Sequence, residues 1–295
     1  MIKSPKQQKG SEIRMIGPRG SGKTTYLATL AYCPKGLREK YPGLKFTPYS
    51  EDAEKLVRLA GDILKNGAQL AGTRLYDDNL TEQIQKLPYY DFQLTIPKTA
   101  YGPSLNLELS ARDFPGEFFE KIAHPSPPAG IELWFDDLFS VTGWMVMMTD
   151  WQPGRDQQQY YPAFKKLCEE ITNAQEIQPA LKNLKIAVVM AKCERGELWT
   201  GRKDPDLDLF QVRLPKTYNY LTDKFGPKRL QFFACSSFGV LGDSRWSFDP
   251  RPNRYTPDDG SLHEYNAFLR NGDQWYPYGL IPPLYWLATG KRIEE

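Results

Sequence analysis

Short apolar runs alternate with amphipathic stretches along most of the chain. The amphipathic stretches have the apolar spacing of helices, and they fall at 23–33, 50–66, 131–140, 160–181 and 214–225. The apolar runs are rich in β-branched and aromatic residues, as strands are, and they fall at 11–16, 90–97, 105–111, 142–149, 184–191 and 229–235. Strands that alternate with helices predict crossover connections and a mainly parallel sheet with helices on both faces.

One connection departs from this alternation. Only residues 98–104 lie between two of the apolar runs, which is too short for a helical crossover. We therefore predict an antiparallel hairpin from 90–97 and 105–111 at or near a sheet edge. Continuous apolar stretches at 145–148 and 186–191 predict central strands that are covered on both faces. The predicted fold is an α/β three-layer sandwich around a mainly parallel six-stranded sheet with one antiparallel edge hairpin.

A glycine-rich turn joins the first predicted strand directly to the first predicted helix. It reads GxxxxGKT, and glycines without a Cβ let successive backbone N–H groups curl around a phosphate at the positive end of the helix. An ordinary glycine-rich turn is the alternative. Lys23 is predicted to reach the outer phosphates, and the Thr24 hydroxyl to bind Mg²⁺. The predicted phosphate-binding residues are Gly17, Arg19, Gly20, Ser21, Gly22, Lys23, Thr24 and Thr25.

A second candidate patch, DFPG at 113–116, closely follows the predicted strand at 105–111. A carboxylate at the carboxyl end of a strand, beside a phosphate turn, can hold Mg²⁺ directly or through water. The backbone N–H of Gly116 can face a γ-phosphate. Any Asp-Pro-Gly turn gives the same spelling, but the position after the hairpin favours the magnesium role. Thr24 and Asp113 are therefore the predicted metal ligands.

Length and composition predict a globular protein with a substantial core. The chain has 295 residues, of which 40% are apolar and 25% charged. We predict one domain at 11–295, preceded by a basic flexible tail at 1–10. Two elaborations are expected, an insert at 34–89 that carries one helix and an irregular loop at 240–277. A short closing helix is predicted near 280–287.

The charge balance argues against nucleic acid or a membrane as the partner. The net charge of +2 comes from 38 basic and 36 acidic residues, so no strong field attracts anionic surfaces. The four cysteines form no CxxC pair, as is typical of buried thiols in a reducing compartment. We find no secretion signal and no run of ~18 apolar residues. A cytoplasmic protein is therefore expected.

Two histidines and a group of three arginines are of residue types that often bind ligands. His124 and His263 lack metal-ligand neighbours in the sequence and are interpreted as ordinary surface or core residues. Arg245, Arg251 and Arg254 are interleaved with aromatic residues. A solvated loop and a site for an acidic partner or RNA both stay open for these arginines, although the neutral overall charge disfavours RNA.

Four patches, in this order, resemble the TRAFAC class of P-loop GTPases, to which Ras-like proteins belong. They are GPRGSGKT at 17–24, DFPGE at 113–117, AKCE at 191–194 and CSSFG at 235–239. The long region before the second patch and the Pro-rich aromatic closing helix are similar to those of bacterial GTPase domains in conflict and signalling systems. The resemblance implies the P-loop NTPase fold, with Mg²⁺ and GTP or GDP as cofactors and ATP less favoured.

The last two patches are degenerate versions of the family's base-recognition loops. The family motif is NKxD, where this chain has AKCE at 191–194. The resemblance implies that the stem of Lys192 lies along the base and that Glu194 accepts two N–H bonds from guanine. Ser236 and Ser237 match the loop whose backbone N–H meets the guanine carbonyl. These base-binding residues favour guanine over adenine.

The same resemblance implies that the residue after DxxG orients the attacking water, and here that residue is Glu117 instead of the usual Gln. Its negative charge near a γ-phosphate predicts slow hydrolysis. Gly116 and Lys23 complete the predicted catalytic group. Arg19 stands where many members have Gly, and two hypotheses stay open. It either stabilises charge in cis, an effect worth roughly 10³ to 10⁵ in rate, or it faces solvent or a partner.

The family also has a switch threonine that touches Mg²⁺ when the γ-phosphate is present. Thr73 is the first candidate and Thr81 the second. Together with Asp113 and Gly116, this threonine would be ordered by GTP and released on hydrolysis.

The sequence therefore predicts an Mg²⁺-dependent GTP-binding protein with slow hydrolysis, acting as a molecular switch for a protein partner. The alternative is a nucleotide-locked subunit of a larger assembly that binds GTP or ATP without hydrolysing it. An ATP-dependent motor or kinase is disfavoured, because we find no acidic Walker B pair and no arginine-rich lid. The identity of the partner and the oligomeric state stay open.

Overall fold

The computed structural model shows a mixed α/β fold in which helices cover a central sheet. The described residues are 12–65, 82, 86–97, 104–112, 114, 116–149, 154–243, 247–255 and 268–293. The α-helices in the described ranges are α1 (Lys23–Tyr32), α2 (Lys35–Lys40), α3 (Glu51–Lys65), α4 (Gly116–Lys121), α5 (Ile131–Phe139), α6 (Tyr161–Ile177), α7 (Pro215–Phe225) and α8 (Pro282–Thr289). Short 3₁₀- or π-helical segments are Asp156–Tyr160, Pro179–Asn183, Gly196–Lys203 and Pro205–Gln211. The strands are β1 (Ile13–Ile16), β2 (Lys45–Pro48), β3 (Tyr89–Ile96), β4 (Leu105–Arg112), β5 (Gly143–Met148), β6 (Lys185–Met190), β7 (Leu230–Ala234), β8 (Val240–Asp243), β9 (Phe248–Pro252), β10 (Arg254–Tyr255) and β11 (Phe268–Leu269).

In the described part of the chain, β1 to β7 form one sheet in the order β2-β3-β4-β1-β5-β6-β7. All neighbours from β4 to β7 run parallel, and Ile16 on β1 lies beside Val146 on β5. The β3–β4 pair is antiparallel, with Phe92 beside Leu109. The six predicted strands and the predicted hairpin are therefore all present.

The sheet has seven strands instead of the predicted six, because β2 adds to the outer side of β3. This strand reads KFTP and is alternately half-buried and exposed. Its four residues include a proline and make no apolar run, so the sequence pattern is too weak to indicate a strand. Its pairing depends on a contact distant in sequence, since Phe46 stacks on Phe92 with ring centres 4.1 Å apart.

Alternating side chains of the parallel strands build a core on each face of the sheet. On β5, Met145 and Met147 pack on the side of α1, α3 and α8, whereas Trp144, Val146 and Met148 pack on the side of α4 to α7. All five side chains are buried, as the continuous apolar run predicts. Burying a large apolar side chain stabilises a fold by about 1.5–3 kcal/mol. The result is the three-layer sandwich of the P-loop NTPase type that the sequence predicts.

The five predicted helices and the closing helix are present, and two short helices, α2 and α4, were not predicted. Six residues give little periodicity, and each of these helices has a glycine in its first turn. The insert at 34–89 therefore holds two helices in its described part, instead of one.

The loop at 240–277 is not wholly irregular, which corrects the prediction. The strand pairs β8–β9 and β10–β11 are antiparallel ribbons within its described part. The tail at 1–10 lies outside the described residues, and the single domain at 11–295 stays a prediction. No helix in the described ranges is long and apolar enough to cross a bilayer.

Candidate functional site

The predicted phosphate turn lies at the carboxyl ends of β1 and β5, where the backbones approach closely. Gly17 has a φ of 146°, and a Cβ at this position would stand 2.2 Å from the carbonyl oxygen of Met147. Gly22 has a φ of 95° and directly precedes α1. Residues with a Cβ rarely adopt such angles. Close packing therefore requires glycine at position 17, and the left-handed backbone angle favours glycine at position 22.

The amino end of α1 has the features of an anion site. Gly22 occupies the cap position without a side-chain hydrogen bond, and no acidic residue lies in the first turn. The Ser21 hydroxyl is buried and has no hydrogen-bond partner among the described residues. Uncapped N–H groups and the positive end of the helix dipole favour a negatively charged ligand. These residues therefore fit a phosphate group.

Lys23 and Thr24 begin α1 and lie beside the ends of two strands. Lys23 Nζ donates hydrogen bonds to the carbonyl oxygens of Gly17 at 2.8 Å and Pro18 at 3.2 Å, so the ammonium group lies across the turn. Thr24 lines a small pocket together with Arg112, the last residue of β4. The Thr24 side chain is thus close to the end of the strand that precedes the DFPG patch.

The glycine of the DFPG patch lies directly against the phosphate turn. A Cβ on Gly116 would stand 2.0 Å from the backbone nitrogen of Arg19. Gly116 begins α4, whose Phe118 and Phe119 are buried in the core below the sheet edge. The two patches with the most specific spelling in the sequence are therefore in contact, and α4 is fixed against the turn by its apolar side.

Two carboxylates of α4 lie next to Arg19. The backbone N–H of Arg19 donates to Glu120 Oε1 at 3.0 Å. The Arg19 guanidinium lies 3.7 Å from Glu117 Oε1, and both side chains are partly exposed. Exposed ion pairs contribute about 0–1 kcal/mol, so this pair can open at little cost. Arg19 and Glu117, two of the residues considered for a role in hydrolysis, therefore face one another in this structure.

Glu120 was not predicted as a site residue. Burial raises the pKa of its carboxyl group, and the Glu117 charge adds to this; the Arg19 amide and the Arg155 and Lys23 charges act in the opposite direction. This half-buried carboxylate accepts a hydrogen bond from the phosphate turn, where a bound anion would do the same. Its position one helical turn after Glu117 was the available sequence signal.

Arg155 was also missed, because it lies in a segment without a recognisable motif. Its guanidinium lies 3.1 Å from the Thr149 hydroxyl and 3.1 Å from the Tyr160 hydroxyl. Tyr160 in turn donates to the Thr149 carbonyl oxygen, next to the end of β5. The charge of Arg155 acts on both Glu120 and Lys192. It is therefore a cation of this site that no sequence pattern indicates.

The two predicted base-binding patches also come together. The Cys193 backbone N–H donates to the Cys235 carbonyl oxygen at 3.0 Å. The Ser236 hydroxyl donates to Glu194 Oε2 at 2.7 Å. Lys192 Cε lies 3.8 Å from the position that a Cβ on Gly22 would occupy. One loop thus touches the phosphate turn with Lys192 and the second loop with Glu194.

Lys192 has an unusual environment. Its φ is 59°, in the left-handed region. Burial lowers the pKa of its ammonium group to about 7, and the Arg195, Arg254 and Arg155 charges act in the same direction, whereas Glu194 opposes them. The Lys192 ammonium group therefore titrates near physiological pH, far below the usual range for lysine.

Glu194 is almost fully enclosed by the protein. Its side chain is 1% exposed, and Arg254 Nε lies 2.9 Å from Oε1. Together with the Ser236 bond, this ion pair means that both carboxylate oxygens face protein groups. The predicted bonds from Glu194 to guanine would have to compete with Arg254. The sequence left a solvated loop and a site for an acidic partner or RNA open for this arginine.

Several predicted residues lie outside the described part of the chain. No group of three or more His, Cys, Asp or Glu side chains that could hold a metal ion occurs among the described residues. His124 is exposed and contacts Ser126. The predicted residues that the structure does not describe are Thr73, Thr81, Asp113, Arg245 and His263.

The comparisons with known proteins add little to this geometry. No protein-family model matches the chain, and no curated protein matches it. Among solved structures, the GTPase-like domain of S. cerevisiae Ski7 bound to GTP is similar at 14% identity, with a TM-score of 0.39. The likeness covers 97% of this chain and 51% of the Ski7 chain, so the chain spans about half the length of that structure.

We predict that Gly116→Ala destabilises the protein by about 1–3 kcal/mol, because the added methyl group would overlap the Arg19 backbone. Urea unfolding measures this change. Gly61→Ala in α3 is the matched control, since its methyl group would meet Tyr32 at an ordinary 3.7 Å. The control should be neutral, or stabilising by up to about 1 kcal/mol. Equal unfolding midpoints for the two variants would contradict the contact between α4 and the turn.

We also predict that stability rises with pH between about 7 and 10.5, because the unfolded chain holds a proton on Lys192 in this window and the folded protein does not. This gain is lost progressively as the pH falls from about 10.5 to about 7, and below 7 Lys192 adds no further slope because both states hold the proton. The slope should reach at most about 1.4 kcal/mol per pH unit.

Chemical denaturation at several pH values tests this, and Lys192→Met should flatten the slope. Lys35→Met, at an exposed position, should leave the slope unchanged. If Lys192→Met kept the wild-type slope, titrating groups other than Lys192 would cause the pH dependence of stability.

Proposed function

We propose that the chain binds GTP with Mg²⁺ at the end of the sheet described above and hydrolyses it slowly, as a switch for a protein partner. The observation that carries this proposal is the meeting of all four motif patches at one place. Gly116 lies against Arg19, Lys192 lies against Gly22, and Ser236 bonds to Glu194. The four patches follow parallel strands whose carboxyl ends share one edge of the sheet, and this is the edge at which open α/β sheets bind their ligands.

Each part of the nucleotide has candidate partners. Backbone N–H groups of residues 20–25 and the Lys23 ammonium group would hold the phosphates. Thr24 would bind Mg²⁺ with Asp113, and Mg²⁺ would supply charge neutralisation between the outer phosphates. Lys192 and the residues around Ser236 would face the base. Thr73 is the proposed switch threonine, with Thr81 as the second candidate.

Glu120 supports the switch. Its carboxylate accepts the N–H of Arg19, a residue of the phosphate turn. A phosphate that enters the turn brings negative charge next to this carboxylate, and like charges at such a distance repel. The Glu120 side chain would then turn away from the phosphate turn, while Gly116 keeps the start of α4 against Arg19. The nucleotide state would thereby change the surface that α4 offers to a partner.

A second candidate function, a nucleotide-locked subunit that does not hydrolyse, is favoured by the Arg19–Glu117 ion pair. In this pair the Arg19 guanidinium and the Glu117 carboxylate face each other at 3.7 Å. If it persists when the nucleotide is bound, neither group is available to the attacking water or the γ-phosphate.

We expect Lys23→Ala to weaken GTP and GDP binding by about 10- to 100-fold, since a charge-assisted hydrogen bond contributes about 1.5–3 kcal/mol. Titration calorimetry with Mg²⁺ measures both affinities, and Lys35→Ala, an exposed lysine outside the site, is the control. The proposal fails if neither nucleotide binds to the wild type, or if Lys23→Ala binds as tightly as the wild type.

We further expect Glu117→Gln to raise the rate of single-turnover phosphate release about tenfold, because it removes negative charge near the γ-phosphate and frees Arg19; tenfold corresponds to about 1.4 kcal/mol. Glu132→Gln, at an exposed position of α5, is the control. A lower rate would instead make Glu117 the base. No release from the wild type or the variant would favour the locked subunit.

A further inference from the structure

The segment after β9 directs one arginine into the base-binding half of the site. Arg254 is the first residue of β10, and its side chain is 12% exposed. Its Nε lies 2.9 Å from Oε1 of Glu194, which is itself 1% exposed. The other oxygen of Glu194 accepts from the Ser236 hydroxyl at 2.7 Å. The charge of Glu194 is therefore compensated inside the protein.

The backbone beside Arg254 is fixed by a buried asparagine. Asn253 is fully buried, and its N–H donates to the Gly239 carbonyl oxygen at 3.0 Å. Its side-chain amide donates to the carbonyl oxygens of Asn271 and Gln274, both at 2.9 Å, and accepts from the Asn271 N–H at 2.8 Å. Arg254 is thus held by a built network that reaches the same loop as Ser236.

This pairing has a consequence for purine recognition. A free carboxylate attracts the ring N–H and the 2-amino group of guanine through charge-assisted hydrogen bonds, which are about twice as strong as neutral ones. A carboxylate that already faces a guanidinium has lost most of this advantage, and a purine donor would have to compete with Arg254. The 2-amino group of guanine then gains little from Glu194.

We propose that Arg254 neutralises Glu194 and thereby makes the site insensitive to the 2-amino group of the purine, so that the chain binds GTP and ITP alike. This inference rests on the proposed function, because it concerns the base of the same nucleotide. Arg254 acts through Glu194 and is a specificity-determining residue that positions and neutralises an acid.

The experiment compares the affinities for GTP and for ITP, which lacks the 2-amino group, by calorimetry with Mg²⁺. The wild type should bind the two nucleotides within about threefold. Arg254→Gln frees the carboxylate and should raise the preference for GTP over ITP about tenfold or more. Arg254→Lys keeps a cation beside Glu194 and should behave like the wild type.

Arg251→Gln is the matched control, because Arg251 lies in the same segment, is exposed and pairs with Asp249 instead. It should leave the ratio unchanged. A wild-type preference for GTP above tenfold overturns the inference without any variant, so a folding defect of Arg254→Gln does not protect it. An unchanged ratio in folded Arg254→Gln also overturns it. If neither nucleotide binds to the wild type, the proposed function fails first and the inference fails with it.

Discussion

The candidate site depends on close contact between backbones, with no side chain between them. Gly17 meets the β5 carbonyl of Met147, and Gly116 meets the backbone of Arg19. A contact of this kind fixes the path of the turn more strictly than side-chain packing, because a backbone cannot change rotamer. The turn, β5 and α4 consequently form one unit, and every polar group of the site is positioned relative to it.

The unit formed by the turn, β5 and α4 also positions the charged groups of the site. Lys23 and Arg155 bring cationic groups to one end of the sheet, and their charges act on Glu120, whose pKa is raised mainly by burial. Lys192 adds an amine whose pKa burial lowers to about 7. Burying a charge costs free energy unless an opposite charge or a hydrogen-bond partner lies beside it. The protein itself therefore supplies an anion where the chemistry favours a phosphate. The arrangement is preorganised for charge, which reduces the reorganisation that a ligand would require.

Local patterns predicted the regular part of the fold well. The apolar run of β5 indicated a strand covered on both faces, and the short connection between β3 and β4 indicated a hairpin, because both features depend on neighbouring residues alone. β2 was missed since its stability comes from pairing with β3. The GxxxxGKT motif also predicted that the glycine turn lies beside the patch that contains Gly116. Asp113 and Thr73 lie outside the described residues, so their predicted roles stay predictions.

The sequence did not predict which charged residues of the site contact one another. Glu120 meets Arg19 across 101 positions, and Arg254 meets Glu194 across 60. No periodicity connects residues so far apart, and Arg254 by itself is indistinguishable from the exposed Arg251 nearby. Contacts between such residues follow from the tertiary fold, so they appear only when the fold is known.

The outer strand β2 has a consequence for how this protein meets other chains. It is four residues long, it begins with Lys45, and it ends with Pro48, which has no N–H to offer. Lysine and proline on a short border strand are devices by which natural sheets discourage the docking of a foreign strand. This border of the sheet is thus poorly suited to templating aggregation.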